Sequence, residues 1–123
     1  MAKGRGSAVM AIVVLCLLVV CEVAQAATYV VGDDNGWTFN VDGWEKGKNF
    51  NAGDVLVFKY AKGSHNVVAV DEGGYYGCDV SPSDAKVYTS GNDQITLVMG
   101  SNSFICSFSD HCNSGMRLLI SAS

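Results

Sequence analysis

Proline occurs once in these 123 residues, at Pro82, and histidine only twice, at His65 and His111. Cations are also few. Eight Lys and Arg stand against twelve Asp and Glu, and no basic run or stripe exists to neutralise phosphates, so nucleic acid is not an expected partner. Beyond residue 26 there is no Asn-x-Ser/Thr sequon, so N-glycosylation is not expected. No internal repeat, low-complexity segment or convincing amphipathic helix interrupts that part of the chain. After the apolar run Arg117-Leu-Leu-Ile-Ser-Ala-Ser123 no proline- and serine-rich stalk, lipid-anchor tail or retention tetrapeptide follows, and an untethered soluble domain is the expectation.

What is present begins with a leader. Lys3 and Arg5 form a positive start, residues 8–20 are almost wholly apolar, and Ala24-Gln25-Ala26 has the small-x-small form of a cleavage site. Residues 1–26 therefore read as a secretory signal peptide, and residues 27–123 as one domain of about 97 residues, enough for one compact core. Without the leader, six cations face eleven carboxylates, a net charge of −5. Three cysteines remain: Cys78, Cys106 and Cys112. In an oxidising compartment two should pair, and the third needs a separate role.

Short β-rich runs separated by Gly, Asn and Asp clusters fill the mature part. They lie near residues 28–31, 55–60, 66–70, 86–89, 94–98, 103–106 and 116–121. Seven to eight strands with turn signals at such intervals predict an all-β, antiparallel Greek-key sandwich. Residues 37–53 show neither period and predict an ordered wrapping loop, with Trp37, Phe39, Trp44 and Phe50 packed into the core. Residues 73–83 read as irregular, with a helical turn near 82–85.

The chemistry concentrates in Cys106-Ser-Phe-Ser-Asp-His111-Cys112-Asn-Ser-Gly-Met116, where a thiol, an imidazole and a thioether recur at equal spacing. Cys106 ends one strand and Met116 begins the next, so a tight loop can fold three donors around one point. His65, from a separate hairpin, supplies a fourth direction. Two imidazoles, a thiolate and a weak thioether form a donor set that selects copper and suits one-electron transfer. A zinc site made by His65, Cys106, His111 and Cys112 would leave Cys78 unpaired and Met116 without a task. A nucleophilic Cys106 with a histidine base lacks an orienting group, so enzymatic activity is not expected.

The mature chain resembles the phytocyanins, the plant branch of the blue-copper cupredoxins, and among them the plantacyanins. The resemblance rests on Tyr29-Val-Val-Gly32, Gly36-Trp37, the set Trp44, Gly47, Phe50, Gly53 and Asp54, His65-Asn66-Val67, Lys86-Val-Tyr-Thr-Ser-Gly91, Phe104-Ile-Cys106 and His111-Cys112-x-x-Gly115-Met116. It implies a cupredoxin-like fold, one copper ion on His65, Cys106, His111 and Met116, and a disulfide between Cys78 and Cys112. It also implies that Asn66 helps to hold the cysteine sulfur. The implied function is one-electron carriage by a secreted, monomeric blue copper protein of the plant extracellular matrix, or apoplast, with an unidentified redox partner. The alternative it implies is a guidance signal in reproductive tissue whose redox activity is incidental.

Two departures stand out. Where the family often has Phe-Pro-Gly-His-Cys, this chain has Phe108-Ser109-Asp110-His111-Cys112. A carboxylate beside a ligand favours the more positive, oxidised site, so a lowered reduction potential is expected. The acidic mature domain also departs from the family's basic members.

Overall fold

The computed structural model describes residues 25–123. The leader expected at residues 1–26 lies outside the described residues, save for its last two. Among the described residues seven strands form two sheets: β1 (Thr28–Val30), β2 (Val55–Lys59), β3 (Val67–Val70), β4 (Val87–Tyr88), β5 (Asn92–Thr96), β6 (Gly100–Ile105) and β7 (Arg117–Ala122). One sheet has the order β1-β2-β5, the other β4-β3-β6-β7. All pairs are antiparallel except β1 with β2.

The strands form where Val, Ile, Leu and Phe cluster, because β-branched and aromatic side chains suit a pleated, half-buried surface. Alternation then fills the space between the sheets. Leu56, Phe58, Val67, Phe104, Leu118 and Ile120 are all buried there, along with Cys106 and Met116. Each such side chain contributes about 1.5–3 kcal/mol by leaving water. A smaller cluster of Val68, Ile105 and Cys112 lies apart from the main core, with Val70, Cys78 and Ala85 packed on it.

The segment between β1 and β2 is the expected wrapping loop, and its backbone is stitched to both sheets. Trp37 N donates to Lys59 O at 2.9 Å, Gly53 N to Leu97 O at 2.9 Å and Ala52 N to Ser123 O at 2.9 Å. Trp37 and Phe50 are buried, and Trp44 packs against the core. Phe39 is the exception. It is 42% exposed, against the expectation that it joins the core.

A second difference is α1 (Glu72–Gly77), a short helix in the region expected to be irregular. Its Glu-Gly-Gly-Tyr-Tyr-Gly sequence has poor helix propensity and no amphipathic period. Local and tertiary contacts supply what propensity does not. The Asp71 carboxylate caps the first turn by accepting from Gly74 N at 2.8 Å, and Cys78 closes the end in the left-handed region at φ 52°. A Cβ on Gly74 would lie 2.7 Å from Val70 Cβ, so only glycine lets the helix seat so closely on β3. Tyr75 OH donates to Asp42 Oδ1 at 2.6 Å, and Arg117 Nε donates to Asp42 Oδ2 at 3.0 Å. Burial and that carboxylate push the Tyr75 phenol up to about 12. Helix, wrapping loop and β7 thus share one polar knot.

Candidate metal centre

The sheet register brings the candidate donors together. Val68 of β3 faces Ile105 of β6, and Ile105 faces Arg117 of β7. Residues just outside those positions therefore meet at one end of the sheet: His65 before β3, Cys106 after β6 and Met116 before β7. Cys106 N donates to Met116 O at 3.0 Å, which closes the strand pair across the mouth of the loop.

That loop collapses around His111. Its own N–H bonds Phe108 O at 3.1 Å, and its carbonyl accepts from Ser114 N at 3.1 Å and Met116 N at 3.0 Å. The backbone is thereby folded so that the imidazole reaches back over Cys106. Ligand atoms of His65, Cys106 and His111 all lie within 4.8 Å of one another. His111 Nδ1 is 3.1 Å from His65 Nδ1 and 3.4 Å from Cys106 Sγ. Met116 and Cys106 are both fully buried in the main core cluster, and Cys106 is a free thiol.

Asn66 joins the two halves. Its Nδ2 donates to Ser107 Oγ at 2.8 Å, its Oδ1 accepts from Ser107 N at 2.8 Å, and its carbonyl accepts from Trp37 Nε1 at 2.9 Å. The side chain therefore grips the residue after Cys106. Cys78 and Cys112 form a disulfide across 34 residues, which fastens the loop beside His111 to the end of α1.

The donor set suits one small, soft to borderline cation. Burial and the neighbouring His111 lower the pKa of His65, which favours the neutral imidazole that a metal requires. Among the described residues no carboxylate belongs to the cluster, so magnesium and calcium, which take oxygen ligands, do not fit.

Phe39, not singled out for the site by its sequence, stands with its ring edge-on to both imidazoles, at 5.6 Å from His65 and 4.9 Å from His111. Phe108 lies 5.7 Å from His111 and is 38% exposed. The half-buried histidines thus emerge at the surface through an aromatic rim. Only the Gly36-Trp-Thr-Phe39 stretch, rich in aromatics yet without period, hinted at this.

The profile of the plastocyanin-like domain family matches residues 37–116, from Trp37 to the last candidate donor. A protein named basic blue protein from Arabidopsis thaliana is 54% identical over 129 residues, covering 99% of each chain. A protein named chemocyanin from Lilium longiflorum is 50% identical over 126 residues, again with 99% of each covered. Among solved structures, cucumber basic protein, described as a blue copper protein, superposes with a TM-score of 0.76 at 54% identity. That match covers 79% of this chain and all of the other.

Proposed function

This chain belongs to the plastocyanin-like domain family, on its phytocyanin branch beside the plantacyanins, and from that premise we propose that it carries single electrons on one bound copper ion. The observation that carries the reading is the convergence of His65, Cys106 and His111 within 4.8 Å, with Met116 buried beside them. In this assignment the His65 and His111 imidazoles, the Cys106 thiolate and the Met116 thioether would hold the ion. Bound there, copper supplies a one-electron couple.

The chain's own residues supply the rest. Strand ends hold Cys106 and Met116, and the Asn66–Ser107 pair holds the His65 side, so the donors move little when the charge of the site changes. That keeps the barrier to transfer small. Full burial of Cys106 keeps water and oxidants from the thiolate. The half-buried histidines and their aromatic rim provide a short route to a partner, protein or small molecule, with no substrate turnover at the site. Residues 1–26 would lead the domain, as a monomer, to the extracellular matrix, where the Cys78–Cys112 disulfide persists.

The direct test is to express residues 27–123 under oxidising conditions and titrate with cupric ion. An intense blue thiolate-to-copper band with narrow copper hyperfine splitting is expected at an equimolar ratio. A colourless product, or a tetragonal spectrum with wide splitting, overturns the reading.

Asp110 offers a finer measurement. It is exposed, adjoins His111 and holds a left-handed φ of 65°. Its charge favours the oxidised site, but solvent and salt screen it. Asp110→Asn is therefore expected to raise the reduction potential by only about 20 mV at low ionic strength. Protein-film voltammetry reads this shift directly, and a potential that stays put or falls refutes the effect.

A further inference from the structure

We propose that Phe39 is a positioning residue for the metal centre, a clamp whose ring edge fixes the orientation of the His65 and His111 imidazoles. The inference rests on the copper reading above. A histidine that binds metal usually donates its other ring N–H to a carboxylate or a backbone carbonyl, which sets the plane of the ring. Here, among the described residues, the ring-nitrogen contacts of His65 and His111 are only with each other and with the Cys106 sulfur. Something else must orient the rings.

Phe39 is placed to do so. It meets His65 at an interplanar angle of 89° and His111 at 75°, while the two imidazoles lie 5.0 Å apart, so the three rings form a closed edge-to-face set. Tyr60 and Phe108 each approach one imidazole only, tilted, at 6.3 and 5.7 Å. A phenyl ring left 42% exposed gives little to the core. Its place is explained by what it touches.

The backbone carrying Phe39 is latched to the ligand loop. Asn40 N donates to Ser114 O at 3.2 Å and Asp42 N to Gly115 O at 3.1 Å. Gly115 has φ +91°, and a Cβ there would fall 2.8 Å from both Asn40 N and Cα, so the two backbones meet where only glycine fits. Gly115 precedes Met116. One turn therefore sets both the thioether donor and the clamp.

The test compares wild type, Phe39→Ala, Phe39→Leu and Phe39→Tyr, each produced from the full chain and loaded with copper. Two readouts serve: the rate of copper release to an excess of chelator, and the intensity ratio of the two visible thiolate-to-copper bands. Phe39→Ala is expected to release copper about tenfold faster and to change the band ratio. Phe39→Tyr, which keeps the ring edge, should stay within about twofold of wild type, and Phe39→Leu should fall between. The urea midpoint of the metal-free proteins should be alike, since the side chain is not core. A blue wild type with Phe39→Ala unchanged in rate and spectrum overturns the clamp alone. So does Phe39→Leu rescuing as well as Phe39→Tyr. A wild type that takes up no copper overturns the copper reading and the clamp together.

Discussion

Replacing Cys106 with serine will abolish the blue absorption outright. The band arises from charge moving between a thiolate and copper, and a serine hydroxyl is neither soft nor ionised at neutral pH, so no neighbouring group can substitute for it. Cys78 and Cys112 are joined to each other and unavailable as a replacement. Any cupric ion still held would rest on two imidazoles and solvent, weakly and with a tetragonal spectrum. Because residue 106 is fully buried, the new hydroxyl must also find a partner or cost about 1–3 kcal/mol. Cys106→Ala is the companion variant, expected to lose the colour with less damage to the fold. A blue Cys106→Ser protein would end the proposed ligand assignment. The same variant separates the guidance alternative, which nothing in the fold or donor set favours: full guidance activity without copper would make electron transfer incidental.

Opening the Cys78–Cys112 disulfide is expected to be the most costly change to stability. The bridge closes a loop across 34 residues, and loop-closure entropy puts its contribution at about 3–4 kcal/mol. For a folded unit the size of the described residues 25–123, that corresponds to a fall in Tm of roughly 15–25 °C. The double variant Cys78→Ala with Cys112→Ala, measured metal-free by calorimetry, avoids leaving an unmatched thiol. A fall below about 5 °C would mean that the polar knot of Tyr75, Asp42 and Arg117 already holds the helix without the bridge. Copper affinity should weaken as well, because Cys112 follows His111 and its anchorage limits how far the imidazole can swing.

Much of this architecture is legible without coordinates because its determinants are local. Val55-Leu-Val-Phe58 and Ser103-Phe-Ile105 announce buried strands by composition, and the Gly and Asn clusters between runs announce their turns. The donors are legible for a related reason. A thiol closing one strand and a thioether opening the next must meet if those strands pair. The helix over Glu72–Gly77 is not legible, since its stability comes from the Asp71 cap, the close seat of Gly74 on β3 and a distant carboxylate at Asp42. Phe39 is hidden for a further reason. An aromatic in a loop looks like core material, and only the meeting of Asn40 with Gly115 turns it outward over the histidines. Sequence periodicity reports what faces an element's own core and is silent on contacts between loops.

The ladder between β6 and β7 divides labour in a way that bears on how such proteins diversify. Ile105 opposite Arg117, with Cys106 N bonded to Met116 O, settles where the two sulfur donors stand before the intervening residues are considered. Residues 107–115 then behave as a cartridge seated in a fixed frame. Ser107, Cys112, Ser114 and Gly115 fasten that cartridge to Asn66, Cys78, Asn40 and Asp42, while its exposed residues decide the charge presented to a visitor. Ser109 and Asp110 are exposed and lie between those fastenings, so the charge beside His111 can change while the anchors that hold the loop stay in place.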